Sequence, residues 1–185
     1  MRSSSRLEVE IKLPVADPAA LRRQLRALGF RLAAPRARER NWIFDDPSGR
    51  LRRSGRLLRL RRQGRAWRLT AKGPALPGRH KRRPEIELPL RDGEAFRRLL
   101  LLLGFVESWF YEKYRARYRP PRSPGSGEAA LDQTPIGWFL ELEGPPAWID
   151  RTAHALGYRR ADYILASYAD LFRRWHPRGP MKFES

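Results

Sequence analysis

Residues 7–13, Leu-Glu-Val-Glu-Ile-Lys-Leu, alternate apolar and charged side chains without a break. Successive side chains of an extended strand point to opposite faces, so Glu8, Glu10 and Lys12 share one face while Leu7, Val9, Ile11 and Leu13 share the other. Pro14 ends the run. Asp17 then offers a helix N-cap, Pro18 suits the first helical position, and Leu21, Leu25 and Leu28 form an apolar stripe. Gly29 supplies the left-handed residue that stops such a helix.

The same plan recurs 75 residues later. Glu10-Ile11-Lys12-Leu13-Pro14 returns as Glu85-Ile86-Glu87-Leu88-Pro89, and Leu28-Gly29-Phe30 returns as Leu103-Gly104-Phe105. Asp92 takes the capping place, and Phe96, Leu99, Leu100 and Leu103 are the expected stripe. At this offset Arg38 and Arg40 fall on Lys113 and Arg115. A looser third copy holds Glu141-Leu142-Glu143 and closes at Leu156-Gly157-Tyr158.

Between the repeats, strands are expected at Glu39–Asp45, Leu57–Arg62, Ala66–Ala71, Trp109–Arg119, Ala129–Gln133 and Trp138–Glu143, several of them joined by tight turns. Residues 120–127 read as a flexible loop, Asp162–Trp175 as a final helix and Pro177–Ser185 as a frayed tail. With the strands opening at Arg6 and Arg83 the total is eight, against four helices. That ratio excludes a doubly wound sheet and predicts an α+β chain: one antiparallel barrel or strongly curved sheet, occupying residues 1–176 as a single domain.

The 185 residues carry a formal charge of +19, from 34 Arg and five Lys against 20 acids. A field of that sign attracts polyanions. Cysteine is absent, which removes disulfides, Fe–S clusters, thiol nucleophiles and thiolate-bound zinc, while His80, His154 and His176 are too scattered for a local imidazole metal motif. The longest apolar stretch, Leu99–Val106, is far shorter than a membrane span, and no signal-peptide pattern opens the chain, so a cytoplasmic protein with no membrane partner is expected. No P-loop pattern occurs.

Charged strand faces recur throughout: Arg59 and Arg61, Arg68, Thr70 and Lys72, Glu85 and Glu87, Lys113, Arg115 and Arg117, Glu141 and Glu143. If the helices cover the apolar faces from outside, these side chains line an interior, where burial is costly unless water, counter-ions or ligand satisfy them. Carboxylates at i and i+2 stand about 7 Å apart on one face, and without His or Cys they suit Mg²⁺ or Mn²⁺. Guanidinium and ammonium groups opposite them suit phosphate oxygens. The minimal reading is phosphoryl or nucleotidyl transfer on a chain of phosphates.

Glu8-x-Glu10-x-Lys12 resembles the signature of the CYTH superfamily, or triphosphate tunnel metalloenzymes, which includes class IV adenylate cyclases, thiamine triphosphatases and inorganic triphosphatases. The resemblance extends in order through Leu58-Arg59-Leu60-Arg61, Leu69-Thr70-Ala71-Lys72, Arg83-Pro84-Glu85-Ile86-Glu87, Lys113-Tyr114-Arg115-Ala116-Arg117-Tyr118, Leu131-Asp132, residues 137–143 and Ser167-Tyr168. It implies an eight-stranded closed barrel with helices outside and a tunnel for triphosphate. It further implies that Glu8, Glu10, Asp132, Glu141 and Glu143 handle metal, with Glu85 and Glu87 at a second site. Lys12, Arg59, Arg61, Lys72, Lys113 and Arg115 match its phosphate-binding bases, and Arg40 and Arg117 join them here as candidates from the repeat and the strand pattern.

On that basis the expected activity is hydrolysis of a triphosphate, inorganic triphosphate foremost, with Glu10, Lys12, Glu85, Glu87 and Asp132 closest to the chemistry. Cyclisation of ATP to cyclic AMP and thiamine triphosphate hydrolysis are the enzymatic alternatives. A polyphosphate- or RNA-binding module is the non-enzymatic one, weakened because Tyr114 and Tyr118 face away from Lys113, Arg115 and Arg117 in a period-two strand. The chain is expected as a monomer or homodimer. His80–Arg83 reads as an added basic run at the tunnel mouth.

Overall fold

The computed structural model describes residues 4–120, 127–174, 176 and 178–184, with side chains from Arg6 onward. Eight strands, β1 (Ser4–Val15), β2 (Arg31–Asp45), β3 (Leu57–Gln63), β4 (Ala66–Lys72), β5 (Lys81–Leu90), β6 (Val106–Arg119), β7 (Glu128–Thr134) and β8 (Gly137–Glu143), close into one antiparallel barrel in the order β1-β5-β4-β3-β2-β6-β7-β8. Closure removes both sheet edges and leaves an enclosed inner face.

Helices α1 (Pro18–Ala27), α2 (Arg50–Arg53), α3 (Gly93–Leu102), α4 (Pro146–Ala155) and α5 (Tyr168–Arg173) complete the fold. Asp17 caps α1 by accepting from the backbone amides of Ala19 and Ala20, and Asp92 caps α3 through Ala95. The repeats therefore fold as twin strand–helix units. Leu21 and Leu25 of α1 and Trp148 and Ile149 of α4 pack over Ile11, Leu13, Leu131, Leu140 and Leu142. On the opposite wall Phe96 and Leu100 of α3 cover Phe44, Leu60 and Trp67. Fully burying such a side chain contributes about 1.5–3 kcal/mol, so these two layers fix which strand face looks inward.

Several expectations are corrected. β2 begins at Arg31 rather than Glu39, its early half pairing with β6 through register shifts at Leu32/Ala34 and Ala34/Ala37. Residues 31–38 lack alternation, so periodicity could not reveal them. Of the stripe expected on α3, Leu99 and Leu103, the latter just past the helix end, are exposed. The single helix expected at Asp162–Trp175 is instead a 3₁₀ turn (Arg160–Asp162), an extended bridge from Ile164 to Lys12 and the short α5, capped by Ser167 and Asp170. The tail is not frayed at Met181, which is fully buried and bonded to the backbone of Phe110 and Glu112. The loop expected at 120–127 lies outside the described residues from 121 to 126.

Candidate active site

The inward faces enclose a cavity of about 1540 Å³. β1 contributes Glu8, Glu10 and Lys12, β5 contributes Lys81, Arg83, Glu85 and Glu87, and β8 contributes Glu141 and Glu143. β3 and β4 supply Arg59, Arg61, Arg68 and Lys72, while β6 supplies Tyr111, Lys113, Arg115 and Arg117. Acids and bases thus meet across one space, as period-two alternation requires once the apolar faces are covered.

The acids are crowded but not equivalent. Glu10 accepts from Lys12 at 3.2 Å and from Lys81 at 3.0 Å. Burial would push this carboxyl up, but Lys12 and Lys81 outweigh it and hold Glu10 well below the usual range. Lys12 in turn is raised, because Glu10 and Glu141 overcome the desolvation of its ammonium. Glu8 is pushed up to about 7 by burial and then by Glu10, although it is paired with Lys72. Glu85 beside it raises it further, and Glu85 Oε2 is buried without a hydrogen-bond partner, although Lys72 Nζ lies 3.3 Å away. Burial also raises Glu143, which pairs with Arg6 at 2.7 Å. Glu141 lies well below its ordinary value, because Arg115 and Lys113 prevail over burial.

Two expected residues sit elsewhere than foreseen. Asp132 is completely buried behind the cavity wall, where it accepts from Lys113 at 2.7 Å, from Arg115 at 2.7 and 2.6 Å and from the Tyr168 hydroxyl at 2.7 Å. Its oxygens are occupied, so it aims Lys113 and Arg115 rather than facing the cavity. Glu87 lines the cavity as expected and pairs there with Arg68 at 2.9 Å and Thr70 at 3.2 Å, but with Asp132 behind the wall Glu85, Glu87 and Asp132 do not gather into one second site. Arg40 lies on the outer face, 3.3 Å from Glu112, and does not line the cavity. Its neighbours Glu39 and Asn41 point inward and hold Arg61 at 3.2 and 2.8 Å.

Pattern reading also missed Lys81 and Tyr111. Both share strand parity with recognised inward residues, Lys81 with Glu85 and Glu87, and Tyr111 with Lys113. Lys81–Arg83 of the basic run therefore belong to β5, His80 lies before it against Asp150, and Arg83 is spent on the carbonyls of Gly73 and Gly55.

Among the described residues, no three acid or imidazole side chains already stand in a metal-holding group. The donor set nevertheless fits a hard divalent cation: Glu8, Glu10, Glu85, Glu141 and Glu143 offer only carboxylate oxygens, Glu85 Oε2 is buried without a hydrogen-bond partner, and burial and the neighbouring Glu10 raise Glu8. No helix among the described residues is long and apolar enough to cross a membrane.

Similar proteins share this architecture. A Methanocaldococcus jannaschii protein named as a candidate adenylate cyclase is 33% identical over 138 residues, covering 74% of this chain and 76% of that one. A candidate adenylate cyclase structure from Vibrio parahaemolyticus superposes with a TM-score of 0.76 at 18% identity, covering 91% and 99% of the two chains. A Pyrococcus horikoshii structure gives 0.73 at 23% identity over 89% and 98%. The Hippeastrum protein described as a candidate adenylyl cyclase with a dominant triphosphatase activity gives 0.64 at 18% identity over 91% and 95%. These structural likenesses concern the fold. Residues 6–152 match the CYTH domain, and with the cavity's facing acids and bases already in view, this chain belongs to the CYTH family.

Proposed function

We propose that the protein hydrolyses a triphosphate with the help of Mg²⁺ or Mn²⁺, inorganic triphosphate being the leading substrate. The carrying observation is the convergence of Arg59, Arg61, Lys72, Lys113 and Arg115 on one enclosed space whose other wall is Glu8, Glu10, Glu85, Glu141 and Glu143. Guanidinium forks and ammonium charges suit phosphate oxygens, and donors already fixed in place stabilise developing charge without reorganising. Lys113 and Arg115 are held in place by Asp132, and Arg61 by Glu39 and Asn41, which supplies the preorganisation that phosphoryl transfer depends on.

Glu8, Glu10, Glu141 and Glu143 would hold the cation, with Glu85 beside them. When bound it would neutralise phosphate charge and favour attack by water on phosphorus. Lys12, raised by its acid neighbours, serves as a fixed positive charge rather than a base. Lys72 and Lys81, now paired with Glu8 and Glu10, are free to turn to phosphate once a cation takes those carboxylates.

Cyclisation of ATP is the second reading, favoured by the name of the 33% identical relative, whereas the dominant triphosphatase activity ascribed to the Hippeastrum protein favours hydrolysis. The test incubates the protein with triphosphate, thiamine triphosphate and ATP, each with Mg²⁺ or Mn²⁺, and resolves the products. Orthophosphate released from triphosphate supports the proposal; cyclic AMP with diphosphate from ATP overturns it.

A further inference from the structure

Tyr111 sits on β6 two residues before Lys113 and faces the same cavity, with 6% of its surface exposed. Its ring is fixed by Trp109, stacked at 5.0 Å, by Tyr168 at 6.4 Å and by the buried Met181, whose backbone brackets this stretch of β6. Its hydroxyl oxygen meets Arg59 Nη1 at 3.5 Å, and among the described residues its own hydrogen has no acceptor. Arg59 Nε, nearby, is a buried donor without a partner. Two unspent donors in a cationic pocket call for an anionic oxygen, since a buried polar group left unpaired costs about 1–3 kcal/mol.

We propose that Tyr111 is a substrate-contacting residue that donates its hydroxyl hydrogen to a phosphoryl oxygen of the bound polyphosphate, acting as the neutral phenol beside Arg59. The assignment rests on the triphosphate reading of the cavity. Burial would push this phenol up, yet Arg59, Arg61 and Lys113 draw it down to about 8. The charged and titratable groups around it are Arg59 and Arg61 of β3, Lys113 of β6, Glu39 of β2 behind Arg61, Glu87 of β5 beyond Arg59, and Tyr168 of α5.

A bound polyanion offsets those cations and accepts the phenol hydrogen, so binding favours the protonated form. By linkage, affinity holds below the free protein's Tyr111 pKa and falls as pH rises through it.

The experiment uses the full chain and inorganic triphosphate in chelator-treated buffer, so that turnover is not needed. Tyrosinate absorbance is titrated with and without triphosphate, and binding is measured by calorimetry at about pH 6 and about pH 9.5. One tyrosine is expected to ionise near 8 and to move upward when triphosphate saturates the protein. Tyr111→Phe should remove that transition, weaken binding about 10- to 100-fold at the lower pH and flatten its pH dependence. Triphosphate binding that leaves the wild-type tyrosine titration unmoved, or that is equally tight in Tyr111→Phe, overturns the Tyr111 assignment alone. Failure of wild-type protein to bind triphosphate at either pH overturns the cavity reading with it.

Discussion

Glu10 of β1 and Lys81 of β5 are partners in register across the barrel ladder, and Lys81 Nζ donates to Glu10 Oε1 at 3.0 Å. Glu10 is thereby shared between two lysines on two strands, Lys12 being the other at 3.2 Å. A carboxylate so held stays ionised at any working pH and is a strong candidate for a cation ligand.

Glu10→Gln keeps the shape but removes that charge. Loss of one preorganised charged group typically costs about 10²–10³ in turnover, and that fall in kcat is expected here with the far-ultraviolet dichroism unchanged. Glu141→Gln should behave alike, because Glu141 lies against Arg115 and near Lys12 and Lys113. Steady-state assays with triphosphate and Mg²⁺ or Mn²⁺ decide it; full activity in both variants removes these acids from the mechanism.

Glu39 makes stability depend on acid. Burial disfavours its charge, but Arg61 and Lys113 prevail and bring its pKa from the ordinary 4.5 to about 2. A depressed carboxyl stabilises the fold above its unfolded pKa, and the contribution is lost as pH falls from about 4.5 towards 2. That displacement is worth about 3 kcal/mol. Glu39→Gln should therefore be less stable than wild type in urea at neutral pH, with the difference narrowing below about pH 4. A difference constant across that range contradicts the assignment.

Asp132 bears on both stability and activity. It is the shared acceptor of Lys113, Arg115 and Tyr168, with none of its surface exposed. Removing one partner of a buried ion pair costs about 3–5 kcal/mol, so Asp132→Asn should lower the urea midpoint and, through misdirected Arg115, reduce kcat. Arg115→Lys should likewise lose turnover, because an ammonium cannot reproduce the two parallel bonds of the guanidinium to Asp132.

Met181 ties a segment remote in sequence to the cavity wall. Truncating a buried Met to Ala costs about 2–5 kcal/mol, and here the void would open against Tyr111, Tyr168 and Phe172. Met181→Ala is expected to be destabilised by that amount and to bind triphosphate more weakly, because Tyr111 loses its support. Urea unfolding and calorimetry read the two effects separately.

The barrel and most of its lining were legible because alternation over residues 7–13, 58–61, 67–72 and 140–143 is strict, and strict alternation admits one inward set. Residues 31–38 were not legible: Pro35 and a run of exposed arginines carry no face preference, and their pairing with β6 is interrupted by register shifts. Lys81 and Tyr111 were legible in parity but hidden by their company, one in a basic run and the other in an aromatic one. Met181 had no local signal, since its burial comes from contacts with β6 and α5.

Arg40 shows how a repeat can mislead by a single residue. The 75-residue offset sets Arg40 on Arg115, yet in the barrel Glu39 stands opposite Lys113 and Arg40 opposite Glu112. Shifting a strand by one position exchanges its faces, so Arg40 joins Trp42 and Phe44 outside while Glu39 and Asn41 turn inward. Its pairing with Glu112 leaves its side chain 45% exposed, and exposed ion pairs contribute about 0–1 kcal/mol. Arg40→Ala should therefore keep triphosphate turnover within about twofold of wild type and barely move the urea midpoint. Arg61→Ala, which removes a cavity cation and strands the buried Glu39, should lower both kcat/KM and stability. Assaying the two side by side tests the strand register itself: loss of activity in Arg40→Ala with Arg61→Ala unaffected would mean that β2 presents its other face to the substrate.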